Sequence, residues 1–205
     1  EMPGFYAPGE YDLAGTIVGM VDRDNIITGE RVRPGHVLIG IASDGLHTNG
    51  YSLARKLLFQ TAGYTVESHI DDIGATVGSA LLAPHRPYVK PVIDLLKSVD
   101  VAGMAHITGG GLIDNIPRSL PDDVAVRVHR DSWPIPPLFQ LLQRIGEIPE
   151  IEMFQDFNMG IGYVILVREE DADTAVRSLT EAGEDVHVLG EAVSRAQDPQ
   201  VRIGD

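Results

Sequence analysis

Residues 37–50, VLIGIASDGLHTNG, join an apolar run to a polar loop and decide the fold prediction. Val37–Ala42 is almost entirely apolar, which predicts a strand buried on both faces of a sheet. Residues 51–63 then place leucines at helical spacing and end in a glycine, which predicts a helix with its stop signal. The stretch therefore predicts a buried strand, a polar loop and a helix in succession.

Similar patterns on either side of this stretch predict the remaining elements. Apolar runs predict strands at residues 13–21, 124–130 (half-exposed), 161–168 and 185–193, while 101–108 fits either a strand or a helix end. Helices are predicted at residues 77–82, 92–99, 113–120, 134–146, 150–157 and 169–183, and the polar tail is expected to fray. This order predicts an α+β fold with a mixed, largely antiparallel sheet packed with helices, and keeps α/β as the alternative.

The composition of the 205-residue chain is that of a folded domain, with 43% hydrophobic and 22% charged residues. A formal net charge of −14 argues against nucleic acid as a partner, because a surface-wide basic footprint is absent. The lack of cysteine excludes disulfides, thiolate zinc sites and cysteine nucleophiles, and it fits a cytoplasmic location. No apolar run approaches the roughly 20 residues that cross a bilayer, so no membrane partner is expected.

Three glycine-rich loops lie next to predicted strands. They are SDGLHTNG (43–50), HITGGGL (106–112) and FNMGIG (157–162). Glycine permits positive φ and lets backbone N–H groups approach a ligand, and successive N–H groups bind anions. Each loop taken singly is more often a turn, and none is a Walker motif. Together they predict a phosphate or carbonyl-oxygen site built mainly from backbone.

The predicted binding residues come from these loops and from the helix that follows the second. They are Ser43, Gly45, Thr48, Asn49, Gly50, Thr108, Gly109, Gly110, Gly111, Asn115, Asn158 and Gly160. His47 and His106 are the candidates for proton transfer, although a histidine beside an apolar strand is more often structural. Arg86 and Tyr88 either face a phosphate or cover surface. No metal site is predicted in this chain, since HExxH spacing is absent.

Six longer motifs follow one another along the chain, and their order carries a resemblance. They are EMPGFYAPGEYDLAG, GHVLIGIASDGLHTNGYSLARKLL, LLAPHRPYVKPV, AHITGGGLIDNIPRSLP, SWPIPPLFQLLQ and EMFQDFNMGIGYVILV. This order resembles the phosphoribosylformylglycinamidine cyclo-ligase family, also called aminoimidazole ribonucleotide (AIR) synthetase. The resemblance implies ATP-dependent closure of formylglycinamidine ribonucleotide to aminoimidazole ribonucleotide in de novo purine biosynthesis, catalysed by a C–N bond-forming ligase.

The resemblance also implies a division of the chain. Residues 1–30 correspond to a loop and the last strand of the family's N-terminal ATP-binding domain, and residues 31–205 to its C-terminal domain. The family's main ATP and Mg²⁺ elements precede this region, and its homodimer is built largely from the N-terminal domain. We therefore expect a small ribonucleotide as the ligand of this chain, and no ring closure by this chain alone.

Five positions depart from the family pattern, and one of them, Thr48, keeps the hydroxyl of the usual serine. Asp44 places a negative charge near the predicted phosphate loop, His85 replaces a usual threonine, and Gln155 with Asp156 replaces an Arg-Thr pair. Two alternatives to a cyclo-ligase half remain open. One is a non-catalytic module that binds a phosphate-bearing ligand or a partner surface, and the other is a related ATP-dependent synthetase of the same superfamily.

Overall fold

The computed structural model describes residues 9–11, 13–196 and 199–204, so the predicted opening loop lies largely outside the described residues. The strands in chain order are β1 (Val37–Ala42), β2 (His69–Ile70), β3 (Ala75–Thr76), β4 (Val101–His106), β5 (Val124–Val128), β6 (Ile161–Val167), β7 (Val186–Ser194) and β8 (Val201–Ile203). The α-helices are α1 (Tyr51–Arg55), α2 (Val77–Leu81), α3 (Val89–Leu95), α4 (Gly111–Asn115), α5 (Pro137–Gly146), α6 (Glu150–Asp156) and α7 (Glu169–Glu181).

The main sheet of the described residues has six strands in the order β4-β6-β1-β7-β5-β8, and β2 pairs separately with β3. All neighbours in the main sheet are antiparallel except β5 and β8. Helices cover both faces of this sheet. The predicted α+β fold, with a mixed and largely antiparallel sheet, is confirmed.

Strand β1 lies inside the sheet because its side chains are apolar on both faces. Leu38 packs into the core beneath α1, α4, α5 and α6, whereas Ile39 and Ile41 pack into the opposite core beneath α3 and α7. Full burial of each such side chain contributes about 1.5–3 kcal/mol. Gly40 is needed between them, because a Cβ there would lie 2.7 Å from Cδ1 of Leu189 on β7.

Two predictions near the ends of the chain differ from the structure. Residues 13–21 are not assigned to a strand, and Ile17 and Met20 are 95% and 101% exposed. An extended segment becomes a strand only as part of a hydrogen-bonded sheet, and neither sheet of the described residues includes this segment. The tail was expected to fray after residue 193, but β8 pairs in parallel with β5. Gln200 anchors that tail by donating to the carbonyls of Pro121 and Val124.

Three internal elements are refined by the structure. The segment at 101–108, left open between strand and helix end, forms β4. Strand β5 is mostly buried rather than half-exposed, since it lies between β7 and β8. The helix that begins at Tyr51 continues as a π-helix over Lys56–Thr61, and Gly63 follows it with φ of 70°, as its predicted role as a stop requires.

Candidate functional site

The three predicted glycine loops meet at one edge of the main sheet. Strands β1 and β4 both pair antiparallel with β6, so β1 and β4 end at the edge where β6 begins. The loops after β1 and β4 and the loop before β6 therefore converge there. The amide of Ser43 donates to the carbonyl of Gly160 over 2.8 Å, which ties two of these loops together.

The loop after β1 is held in an unusual backbone shape around a buried histidine. His47 and Thr48 have φ of 52° and 67°, values that residues other than glycine rarely adopt. The Nε2 atom of His47 accepts hydrogen bonds from the amides of Asp44 (3.0 Å) and Arg86 (3.3 Å). Because Nε2 accepts twice, the proton of this imidazole is on Nδ1. Burial, followed by the nearby charge of His85, lowers the pKa of His47 from 6.5 to about 4.

Asn158 braces the loop after β1 from inside the protein. Its Oδ1 accepts from the Ser43 hydroxyl (2.9 Å) and from the amide of Gly160 (2.8 Å), while Nδ2 donates to the carbonyl of Gly45 (2.8 Å). The Asn158 side chain is buried, and both its amide oxygen and its amide nitrogen are hydrogen-bonded to these partners. Four of the predicted binding residues therefore hold one another, and the structure gives them a supporting place behind the loop.

Asn115 braces the HITGGGL loop in the same way. Its Nδ2 donates to the carbonyls of Gly111 (2.7 Å), Gly109 (3.2 Å) and Thr108 (3.3 Å), and its Oδ1 accepts from the Thr108 hydroxyl. Gly110 and Gly111 both have positive φ, at 95° and 56°. A Cβ on Gly111 would lie 2.0 Å from the carbonyl oxygen of Phe154, so only glycine fits. This glycine run is both a tight turn and a close approach of two backbones.

The remaining loop residues line a cleft of about 580 Å³, which we call the glycine cleft. Its lining residues are Thr48, Asn49, Gly50, Tyr51, Ser52, Leu53, Gly109, Gly110, Asp114, Gln155 and Asp156. Within the described residues, no protein acceptor takes the backbone N–H of Gly50, Gly109 or Gly110. The cleft therefore offers open backbone donors. None of its described lining residues is Lys or Arg, so it supplies no cation.

His106 borders a different opening of about 450 Å³, which we call the histidine cavity. Its lining residues are His85, Arg86, Pro87, Tyr88, Val89, Val92, Ile93, Leu96, Met104, His106 and Tyr163. The Nε2 atoms of His85 and His106 lie 3.1 Å apart, and the ring of His85 stacks on that of His47 at 4.2 Å. The two candidate proton carriers are thus linked through a histidine that sequence reasoning had noted only as a departure.

Arg86 lines the histidine cavity with its charge already paired. It donates to Glu184 (2.6 Å), to Asp44 (2.9 Å) and to the carbonyl of Gly183. The hydrogen bond to Glu184 raises the pKa of Arg86. The negative charge of Asp44 is therefore matched by Arg86, and Asp44 does not line the glycine cleft. Nothing in the local sequence signals the role of Glu184, which is 98 residues from Arg86 along the chain.

Two tyrosines complete the histidine cavity: Tyr88, which the sequence offered as facing a phosphate or covering surface, and Tyr163, which it did not single out. The hydroxyl of Tyr88 donates to the carbonyl of Ala42 at the end of β1 (2.8 Å), and its ring lies 5.3 Å from that of Tyr163. Burial raises the pKa of both phenols, so both stay protonated. Gly162 makes room for Tyr88, since a Cβ there would lie 2.0 Å from the Tyr88 hydroxyl oxygen.

A family model described as "AIR synthase related protein, C-terminal domain" matches residues 33–201. The chain belongs to this family. Among curated relatives, it is 50% identical over 196 residues to the phosphoribosylformylglycinamidine cyclo-ligase of Bacillus cereus (strain Q1), covering 96% of this chain and 57% of that protein. It is 48% identical over 193 residues to the cyclo-ligase of Alkaliphilus metalliredigens (strain QYMF), covering 94% and 56%. The resemblance carried by the motifs is confirmed, and the chain spans about half the length of these relatives.

Solved structures with this fold include more distant proteins. Thiamine-monophosphate kinase from Stenotrophomonas maltophilia K279a matches with a TM-score of 0.59 at 17% identity, over 89% of this chain and 54% of that one. Hydrogenase maturation protein HypE in complex with ATP matches with a TM-score of 0.57 at 20% identity, over 90% and 52%. At these identities the likeness establishes the fold alone.

Two searches of the described residues bear on metals and membranes. No group of three or more His, Cys, Asp or Glu side chains among them is arranged to hold a metal ion. No helix in the same part of the chain has the length and apolar character needed to cross a bilayer.

Proposed function

We propose that this chain is the substrate-side half of a phosphoribosylformylglycinamidine cyclo-ligase. The observation that carries the proposal is the glycine cleft, whose loops are the motifs that the chain shares in order with that family. Identity of 48–50% to named cyclo-ligases over nearly the whole chain supports the same assignment. The substrate would be formylglycinamidine ribonucleotide, and the product aminoimidazole ribonucleotide, with ADP and phosphate released.

The reaction explains why a backbone cleft is useful. The substrate amide oxygen takes the terminal phosphoryl group of ATP. The internal nitrogen then attacks the amide carbon, and phosphate departs with the electrons of the carbon–oxygen bond. The attacking nitrogen then loses a proton. Such chemistry needs donors on phosphate oxygens more than a strong nucleophile. In this proposal the open N–H groups of Gly50, Gly109 and Gly110 hold a phosphate of the ribonucleotide.

The glycine cleft has acidic lining residues, so in this proposal the positive charge that a phosphate requires comes from another part of the enzyme. Asp114 and Asp156 line it, and both repel a phosphate at neutral pH. The proposal therefore assigns charge neutralisation, ATP and Mg²⁺ to the additional length that the cyclo-ligase relatives possess. Mg²⁺ prefers a set of oxygen ligands, and the described residues offer no cluster of that kind. We also propose a cytoplasmic homodimer for the complete enzyme.

One observation favours a second function for the chain as it stands. A cleft with open N–H donors and no described Lys or Arg holds an anion weakly, which suits a module that binds a phosphate-bearing ligand without transforming it. A related ATP-dependent synthetase is the other alternative. The structural neighbours at 17–20% identity share the fold with this chain but leave its substrate undecided.

Calorimetry with a charge variant tests whether the ribonucleotide binds in the glycine cleft. Gln155→Arg adds a cation to the cleft lining, whereas Gln60→Arg adds the same charge at an exposed position outside it. A cation near a partly exposed phosphate contributes about 1 kcal/mol, so Gln155→Arg is expected to tighten ribonucleotide binding roughly fivefold. Gln60→Arg is expected to leave the affinity unchanged. Equal effects of the two variants would place the ligand outside the cleft.

A chimera tests catalysis. The chain is joined to the part of the Bacillus cereus relative that precedes the matched region, and ring closure is followed by ADP release and product formation. Multiple turnovers by the chimera, with none by the chain alone, are expected. Multiple turnovers by the isolated chain would contradict the assignment as half of a site. Ribonucleotide binding by the chain, combined with an inactive chimera, would favour the non-catalytic module.

A further inference from the structure

Three histidines from three separate segments form one continuous cluster. His47 comes from the loop after β1, His85 from the segment before α3, and His106 from the end of β4. His85 lies in the middle, stacked on His47 with 19° between the ring planes and 3.1 Å from His106 between the Nε2 atoms. His85 and His106 line the histidine cavity, and His106 begins the HITGGGL segment whose Gly109 and Gly110 line the glycine cleft.

The groups around this cluster are fixed in charge. His47 is neutral, because its Nε2 accepts two backbone hydrogen bonds. Tyr88 and Tyr163 stay protonated, since burial raises the pKa of each phenol. The charged groups near the cluster are Arg86, Asp44 and Glu184; Arg86 is ion-paired to both carboxylates, which leaves the three groups with one net negative charge. The two rings of the cluster that contact each other through ring nitrogens are His85 and His106.

Hydrogen-bond chemistry limits what this pair can hold. Two imidazoles bond through their Nε2 atoms only if one carries a proton there and the other does not. The neutral pair thus contains two different tautomers. One added proton fits without breaking the bond, because it enters on an outer nitrogen and leaves the shared proton in place. A second added proton would bring two N–H groups face to face.

We propose that His85 is a positioning residue for His106, fixing its tautomer and making the two rings a site for a single exchangeable proton. The pair geometry stands independently of the proposed function, while its use rests on that function. The proton in question is the one that the attacking nitrogen loses when the ring closes. His106 would receive it at the cleft side, and His85 would keep the pair from taking a second. Burial and the charge of His85 both lower the pKa of His106, which agrees with this arrangement.

Nuclear magnetic resonance of the chain tests the pair without any substrate. Long-range ¹H–¹⁵N spectra identify which nitrogen of each ring carries the proton. At neutral pH, one ring of the pair is expected to be protonated at Nε2 and the other at Nδ1. On acidification the pair should titrate in two steps separated by more than about one pH unit, as interacting sites do. Identical tautomers in both rings, or independent single titrations, would overturn the proposal.

Variants separate positioning from a merely structural contribution. His85→Thr is expected to return His106 to a single titration with a raised pKa and mixed tautomers. His85→Gln keeps a hydrogen-bonding amide without a titrating group, so it should restore one tautomer of His106 but not the two-step titration. His69→Thr removes an exposed histidine elsewhere and should leave His106 unchanged. A His106 spectrum that is the same in His85→Thr as in the parent would also overturn the proposal.

The chimera described above adds a functional readout. In it, His85→Thr is expected to shift the pH dependence of ring closure while leaving the affinity for the ribonucleotide within about twofold, since His85 lies outside the glycine cleft. An unchanged pH profile alongside altered His106 titration would overturn the catalytic use of the pair. An inactive chimera would count against the cyclo-ligase function and leave the spectroscopic result to decide the pairing itself.

Discussion

The glycine cleft and the histidine cavity lie side by side and are built in opposite ways. The glycine cleft consists of backbone in positive φ, held from behind by the buried amides of Asn115 and Asn158. The histidine cavity consists of side chains from separate segments, packed over the apolar face of α3. The glycine cleft depends on backbone atoms that are held in one conformation. The histidine cavity depends on ring nitrogens, which have alternative protonation states.

This difference separates the consequences of mutation. In the glycine cleft, backbones approach so closely that an added methyl group meets a carbonyl oxygen, and a lost amide leaves buried polar atoms without partners. In the histidine cavity, His85 and His106 contact each other through ring nitrogens, so replacing either removes a hydrogen bond between two imidazoles. Substitutions of the residues that form the glycine cleft are therefore expected to act mainly on folding stability. Substitutions of His85 and His106 are expected to act mainly on proton binding and transfer.

The largest expected effect is on the backbone contact beneath the HITGGGL loop. Gly111→Ala combines a φ of 56° with a Cβ only 2.0 Å from the Phe154 carbonyl oxygen, so the loop or α6 must shift. We expect a loss of about 4 kcal/mol in the free energy of unfolding, measured by urea denaturation. Gly63→Ala is the matched control, because it has φ of 70° and open space around it, and should cost only about 1 kcal/mol. Equal losses would show that strain alone, without the clash, governs the loop.

The next effect tests the boundary between the two sites, at His47. Its pKa is about 4 in the folded protein and 6.5 as a free side chain, so the unfolded chain binds a proton first as the pH falls. The stability that His47 contributes is complete above pH 6.5 and is lost as the pH falls from 6.5 through 4. The loss amounts to about 3 kcal/mol at most. His47→Gln keeps an acceptor but does not titrate, so its unfolding free energy should fall less over this interval. Parallel pH profiles for parent and variant would contradict a buried neutral His47.

The smallest of the three effects concerns the brace behind the loop after β1. Asn158→Ala removes hydrogen bonds to Ser43, Gly45 and Gly160 and leaves buried backbone groups without these partners. A loss of about 2 kcal/mol in unfolding free energy is expected. Asn25→Ala, at an exposed position, is expected to change stability by less than about 0.5 kcal/mol. A loss at Asn158 as small as that at Asn25 would show that these hydrogen bonds do not contribute to folding stability.

The departures from the family pattern fall into the two regions unequally. Asp44 and His85 belong with Arg86 and the histidine cluster, where each has a partner in this chain. Gln155 and Asp156 line the glycine cleft and leave it without a cation. The first pair therefore forms a consistent local network, whereas the second adds one neutral and one acidic side chain to the lining of the glycine cleft.

The sequence by itself determined the elements with strong local signals. The apolar run of β1, the helix stop at Gly63 and the glycine loops are visible as patterns because periodicity, composition and turn chemistry are local properties. The order of the motifs also determined the family. The same local reading placed a strand at residues 13–21, where the structure has none, because apolar and β-branched composition gives no information about whether a pairing neighbour exists.

Only the tertiary structure decided which of the predicted site residues line the open cleft and which support its loops from inside the protein. Asn115 and Asn158 carry the same amide group as Asn49, yet they are buried braces while Asn49 lines the cleft. His47 follows β1 and His106 ends β4, yet one is fixed neutral by backbone donors and the other is paired with His85. Pairings such as Arg86 with Glu184 and β8 with β5 join residues far apart in the chain. Such contacts follow from the packing of the whole sheet, which no local pattern encodes.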